Sequence, residues 1–257
     1  MIIYYEPDGI IKIEFEENRE LKSTDFPIGL TNLYLGNKYN KEIKSNVLPS
    51  TLKKIIFGTN FNQDIYPNTF PYNLEYIEFG ENFNKIIHKD IFPTNLKYLI
   101  FRGDYKYILT KSTLPKNLIY LSFRTNKCEI CENILPETLL HLKLGYNYNF
   151  EFKKEVLPNK LKYLELGGIY SYSLANIPET LETLSICGSK ENEVLLNNLP
   201  LSIKNLIIYN LEIPLNNLPI SIENIKLICY NDKTLKLLKI PFGSKVFDRF
   251  NKIININ

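Results

Sequence analysis

The chain has no tryptophan, one alanine (Ala175), one methionine, two histidines and four cysteines in 257 residues. Four cysteines (Cys128, Cys131, Cys187, Cys229) are too few for a disulfide framework at this length. Cys128-x-x-Cys131 is half of a zinc motif, but Cys187 and Cys229 bring no second close pair, so no metal is expected. No apolar run reaches the length of a membrane span, and Met1–Pro7 is broken too early to read as a signal peptide. The net charge of +3 is mild and implies no bulk attraction to nucleic acid or anionic membrane. The expectation is a soluble, cytoplasmic protein.

What the chain does contain is a rhythm. The pattern Pro-x-x-Leu/Ile-x-x-Leu/Ile-x-Leu/Phe/Ile starts at Pro7, Pro27, Pro49, Pro71, Pro93, Pro115, Pro136, Pro158, Pro178, Pro200 and Pro219, mostly 22 residues apart. Pro241 adds a degenerate twelfth mark. Such a period, with apolar positions spaced three and then two apart, is the signature of a repeat solenoid. The prediction is a mainly β solenoid, a parallel sheet of about 11 short strands with loop, 3₁₀ or short-strand structure on the other side. Residues 1–229 are assigned to the solenoid, with a strand at Ile2–Tyr5 before a turn at Pro7-Asp8-Gly9. Residues 230–257 are assigned to a cap, where Ser244 opens a helix carrying Phe247, Phe250 and Ile254 at helical spacing.

Counting from the first apolar residue after each proline, positions 4 and 6 are two apart and point inward, while 3, 5 and 7 point outward. In the third repeat these inward residues are Ile55 and Phe57. Position 9 carries Asn18, Asn60, Asn82, Asn126 and Asn147, a candidate amide ladder along the turns. Glycine at position 7 (Gly36, Gly58, Gly80, Gly145, Gly167) suits a tight corner or a positive φ angle. Cys131 falls in the inward slot held elsewhere by Ile65 and Ile87. Asn, Ile, Lys, Tyr and Phe share AT-rich codons, so their position within the repeat carries more weight than their abundance.

Position 3 holds Tyr76, Tyr98, Tyr120, His141 and Tyr163 in five consecutive repeats, with Arg102 and Arg124 at position 7 of two neighbouring ones. Tyrosine with arginine is the composition of interface hot spots. These seven residues are the candidate binding site for a protein or peptide on the outward, concave strand face, with acidic groups of the partner facing the arginines. The alternative is inheritance and structure: Lys97-Tyr98-Leu99 recurs as Lys162-Tyr163-Leu164, stacked tyrosines shield one another, and Glu78 or Asp104 can pair the arginines. No catalytic constellation is present: His88 and His141 lie 53 residues apart, and no phosphate-cradling glycine loop or His/Glu metal motif occurs. A non-enzymatic chain without cofactor or small-molecule substrate is expected. Tyrosine faces also suit sugars or bases, but the lysines are scattered rather than set in a stripe, which argues against nucleic acid.

Phe57-Gly58-Thr59-Asn60-Phe61-Asn62-Gln63-Asp64-Ile65, Phe79-Gly80-Glu81-Asn82-Phe83-Asn84-Lys85-Ile86-Ile87 and the Leu48-Pro49-Ser50-Thr51-Leu52 run resemble the FNIP repeat. Tyr39-Asn40 and Tyr148-Asn149 are close variants of its Phe-Asn pair. The resemblance covers about residues 7 to 229. It implies similarity to leucine-rich repeats, an origin in social amoebae or their giant DNA viruses (hence host cytoplasm if viral), and a protein-interaction role. A structural or virion-associated scaffold is the alternative. Some members carry an F-box. Here the repeats begin at Pro7, so a ubiquitin-ligase role is expected to need a separate subunit.

Overall fold

The computed structural model describes residues 2–5, 11–110, 112–236 and 238–255. The expected turn at Pro7-Asp8-Gly9 lies outside the described residues. The chain divides into two compact units, residues 1–139 and 140–257. Both are β-solenoid: each repeat contributes one short strand that pairs in parallel with its neighbour 19–22 residues away.

The first unit contains β1 (Ile2–Tyr5), β2 (Ile11–Phe15), β3 (Leu30–Leu35), β4 (Lys54–Phe57), β5 (Tyr76–Phe79), β6 (Tyr98–Tyr105) and β7 (Tyr120–Asn126). β1 pairs antiparallel with β2, and the strands from β2 onward are parallel. Position 4 aligns in register as Ile13, Leu33, Ile55, Ile77, Leu99 and Leu121, all fully buried. Position 6 stacks rings: Phe57, Phe79, Phe101 and Phe123 follow one another at 5.1, 5.4 and 5.1 Å between centroids. A second file, Tyr39, Phe61, Phe83 and Tyr105, runs beside it at 6.1, 6.0 and 6.4 Å. Ring stacking at these separations adds to the burial of apolar area.

The proline does not sit in the strand at all. Its carbonyl accepts the N–H of the position 1 residue in a four-residue turn, as Pro49 does from Leu52 at 3.0 Å and Pro71 from Leu74 at 3.1 Å. The missing N–H is therefore never needed. A hydroxyl one residue before position 1 ties that corner to the previous turn: Thr51 Oγ1 donates to the Leu30 carbonyl at 2.7 Å and Thr138 Oγ1 to that of Leu118 at 2.8 Å.

Three residues ahead of the proline the backbone is left-handed: Asn46 (φ 61°), Asn68 (64°), Asp90 (63°), Ser112 (73°) and Asn133 (60°) in the first unit, and Glu155 (68°) in the second. Asn and Asp tolerate this region; a longer side chain costs more there. Glu155 is exposed, so Glu155→Gly is expected to stabilise the second unit by about 1 kcal/mol. Urea unfolding checks it, and a fall in the midpoint would contradict the assignment.

The asparagine ladder runs along position 11 at Asn40, Asn62 and Asn84, and Asn18, at position 9 of a first repeat two residues shorter than most, starts it. Asn40 N–H donates to Asn18 Oδ1 (2.9 Å), Asn62 N–H to Asn40 Oδ1 (3.0 Å), Asn84 N–H to Asn62 Oδ1 (3.0 Å) and Lys106 N–H to Asn84 Oδ1 (3.2 Å). In the second unit Ser171 N–H donates to Asn149 Oδ1 at 3.0 Å. Position 10 turns inward as Phe61 and Phe83, which leaves Asn60 and Asn82 pointing to solvent. These two share one amide contact at 3.2 Å. Position 11 lies along the backbone of the next turn. Cys131 is likewise exposed. Its repeat is one residue shorter than most, and Ile130 fills the interior slot.

The second unit contains β8 (His141–Lys143), β9 (Tyr163–Glu165), β10 (Thr183–Cys187), β11 (Asn205–Tyr209), β12 (Asn224–Leu227) and β13 (Lys245–Phe247), with short helices α1 (Glu193–Leu196) and α2 (Asp232–Lys236). Leu142, Leu164, Leu184, Leu206, Ile225 and Val246 form its buried file. The helix expected from Ser244 is not formed: Lys245–Phe247 is a strand, followed by a turn whose Asn251 has φ 65° and by an antiparallel bridge from Phe247 to Ile253. The reason is Ser244 itself. Its hydroxyl donates to the Ile222 carbonyl at 2.6 Å, the same corner bond that Ser221 makes to Ile203 at 2.9 Å, so the segment is a further repeat turn. The short helix lies earlier, at α2, where Asn231 Oδ1 accepts the Thr234 N–H at 3.0 Å. No helix among the described residues is long and apolar enough to cross a membrane.

Candidate functional site

Strand alternation sends positions 3, 5 and 7 to the face opposite the core. In the first unit Tyr76, Tyr98 and Tyr120 occupy position 3 of β5, β6 and β7 and lie in direct register. Their ring centroids are 5.9 and 6.0 Å apart, with tilts of 33° and 37°. Tyr98 is 40% exposed, Tyr76 and Tyr120 half-buried. One outer member, Tyr76, is tied down. Tyr76 Oη donates to Glu78 Oε2 at 2.5 Å, and Lys54 Nζ lies 4.4 Å from the Tyr76 ring centroid and 5.7 Å from that of Tyr34. Burial, then the bond to Glu78, raises the Tyr76 hydroxyl pKa well above its ordinary value.

The two arginines differ in their anchors. Arg102 Nε meets Glu78 Oε1, and the Glu78 side chain is only 4% exposed. Arg124 Nη1 lies 3.1 Å from Glu81 Oε1, and both of those side chains are more than half exposed. β6 and β7 change register between Phe101 and Asp104, a bulge of the kind that re-aims side chains. It coincides with Arg102 and Gly103, where the glycine is displaced by one residue from its usual slot.

In the second unit His141 and Tyr163 are register partners on β8 and β9, with ring centroids 5.7 Å apart. Tyr163 Oη donates to Glu165 Oε2 at 2.8 Å. Lys143 Nζ lies 3.1 Å from Glu165 Oε2 and 5.6 Å from the Tyr163 ring centroid. Partial burial, then the neighbouring Lys143, lowers the His141 pKa.

The seven residues singled out in the sequence thus fall into two sets, Tyr76, Tyr98, Tyr120, Arg102 and Arg124 in one unit and His141 and Tyr163 in the other. Each set has supporting residues outside those seven: Lys54 and Glu78 in the first, Glu78 pairing Arg102 as the sequence allows, and Glu165 and Lys143 in the second. The signal for the carboxylates was present as Tyr76-Ile77-Glu78 and Tyr163-Leu164-Glu165, since residues two apart on a strand share a face. His88 is exposed on a loop. Cys128 Sγ contacts the Lys106 carbonyl at 3.0 Å. Among the described residues no three His, Cys, Asp or Glu side chains gather as a metal site.

The FNIP repeat model matches seven overlapping segments, residues 18–60, 39–82, 61–104, 83–126, 105–147, 126–170 and 148–189. The chain belongs to the FNIP repeat family. In these FNIP repeats the Phe of the Phe-Asn pair is the buried ring of Phe61 and Phe83, and the Asn is the ladder amide of Asn62 and Asn84. The giant-virus protein CroV588, a circular LRR protein, is similar over 91% of this chain with 31% identity and a TM-score of 0.70. The chain spans 35% of CroV588's length. The leucine-rich-repeat protein LegL7 from Legionella pneumophila (13% identity, TM-score 0.49, covering 95% of this chain and 92% of its own) was also found. So was YopM from Yersinia enterocolitica (16% identity, TM-score 0.37, covering 91% and 68%). No curated protein sequence matches the chain. The FNIP fold is thus a leucine-rich-repeat-like solenoid.

Proposed function

We propose that this chain is a non-catalytic interaction module that holds a protein or peptide segment on the outward strand face of its first unit, centred on Tyr98. The observation that carries the reading is the tyrosine file itself. Three rings stand in register on the face that the core does not need, and the middle one is the most exposed. The Tyr76 hydroxyl is committed to Glu78, whereas no hydrogen bond to the Tyr98 hydroxyl is seen among the described residues. A rigid ring with a spare donor is what interface hot spots use. The FNIP repeats and the likeness to a leucine-rich-repeat protein support an interaction scaffold. His141 and Tyr163, with Lys143 and Glu165, give the second unit a smaller aromatic surface that lacks arginine.

The test is affinity capture from the native host cell with the wild-type chain and with Tyr98→Ser/Tyr120→Ser. Both side chains lie outside the core, so the variant is expected to fold, which circular dichroism checks. Proteins retained by the wild type are expected to be lost about tenfold or more from the folded variant. Equal retention would remove this face from consideration.

A further inference from the structure

Resting on that reading, we infer that the partner segment is acidic: its carboxylates bind Arg124 and the exposed Arg102 beside it, and Glu81 is an internal placeholder that they displace. The chain has four arginines (Arg19, Arg102, Arg124, Arg249) among its 31 cationic residues. Two of the four stand on adjacent strands beside the tyrosine file, where lysine serves at most other exposed positions. Arginine differs from lysine in offering a planar fork that matches a carboxylate.

The two arginines do different work. Arg102 uses Nε to neutralise Glu78, a carboxylate almost wholly shielded from water, and so is fixed in place. Its side chain is nonetheless 61% exposed. Arg124 reaches back 43 residues, across the turn that carries Gly103, to a carboxylate that is itself 54% exposed. A pair so exposed contributes little to stability and exchanges readily for a better-placed acid. Like charges on neighbouring strands repel, and Glu81 offsets that repulsion while the site is empty. The outward charged groups of this region include four cations (Lys54, Arg102, Arg124, Lys127) and three carboxylates (Glu78, Glu81, Asp104), with Lys127 lying 3.7 Å from Asp104. Displacing Glu81 leaves a cationic surface flanked by aromatic rings, complementary to an acidic peptide.

The experiment uses a random-peptide display library selected on the full chain, followed by fluorescence-anisotropy titration of a selected peptide. Selected peptides are expected to be enriched in Asp and Glu. Arg124→Gln should weaken binding about tenfold, with Arg124→Lys giving partial rescue. Glu81→Gln should tighten binding about threefold by removing the internal competitor. Both positions are solvent-exposed, so the unfolding midpoints should not move. Selection of neutral or basic peptides, or equal affinity for Arg124→Gln, overturns the inference. Peptides that lose affinity with Tyr98→Ser but not with Arg124→Gln leave the binding face standing and remove only its acidic preference. Peptides indifferent to Tyr98→Ser remove the face as well.

Discussion

Truncating Phe79 to alanine is expected to destabilise the first unit by about 3–5 kcal/mol, the range for large aromatic-to-alanine changes in a packed core. The ring is fully buried. It stacks on Phe57 at 5.1 Å, on Phe101 at 5.4 Å and on Phe83 at 3.9 Å. Its removal opens a gap in both ring files at once, because Phe83 belongs to the second. Neighbouring turns are held by their own backbone ladders and cannot close around the void. A domain's whole stability is about 5–15 kcal/mol, so the variant should be close to unfolding at room temperature. Urea unfolding followed by far-ultraviolet circular dichroism measures the loss. Phe79→Leu, which keeps much of the volume, should cost distinctly less. An unchanged midpoint for the alanine variant would mean that the rings are not packed as described.

Gly80→Ala is expected to destabilise by about 1–3 kcal/mol, and here the sign is the informative part. Replacing glycine by alanine where the backbone accepts it stabilises by about 0.4–1 kcal/mol, through the unfolded state. Gly80 and Gly58 are not among the residues with positive φ, so backbone conformation alone predicts a gain. Packing predicts the opposite. A Cβ on Gly80 would collide with the Gly58 carbonyl oxygen, and one on Gly58 would lie 2.5 Å from the carbonyl carbon and oxygen of Gly36. The obstacles are backbone, which cannot swing aside. Gly58, Gly80 and Gly167 are therefore required by the closeness of successive backbones, and the left-handed residues of the repeat lie elsewhere, at Asn46 and its equivalents. A rise in the thermal midpoint of Gly80→Ala would refute that account.

The inward positions were legible because two constraints coincide at Ile55 and Phe57: a 22-residue period that names the turn and a two-residue spacing that names the strand. The outward tyrosines followed from the same alternation. The asparagine ladder was legible in kind but not in place. Asn60 and Asn62, like Asn82 and Asn84, offer the same amide two residues apart, and only the inward rotation of Phe61 and Phe83 decides which one meets the next turn. The last turn misled because Phe247, Phe250 and Ile254 fit helical spacing and Ser244 fits a helix cap. A strand followed by a tight turn has the same residues available, and the corner bond from Ser244 to Ile222 belongs to the solenoid. The left-handed slot was half written in Asn46, Asn68, Asp90 and Asn133, and Ser112 and Glu155 obscured it. At the candidate site the place of Glu78 beside Tyr76 was readable. Its burial was not, because it arises jointly from the register partners Ile56 and Ile100 on either side, the Tyr76 hydroxyl and the Arg102 pair.

The ladder of Asn18, Asn40, Asn62 and Asn84 has a genetic corollary. Each of its links joins residues 22 apart. Splicing Phe61 directly to Asn84 would present the Asn84 N–H to Asn40 Oδ1 in place of Asn62, and the Phe-Asn junction would survive unchanged. Unequal recombination in units of 22 codons can therefore lengthen or shorten this part of the gene while every donor still finds an equivalent acceptor.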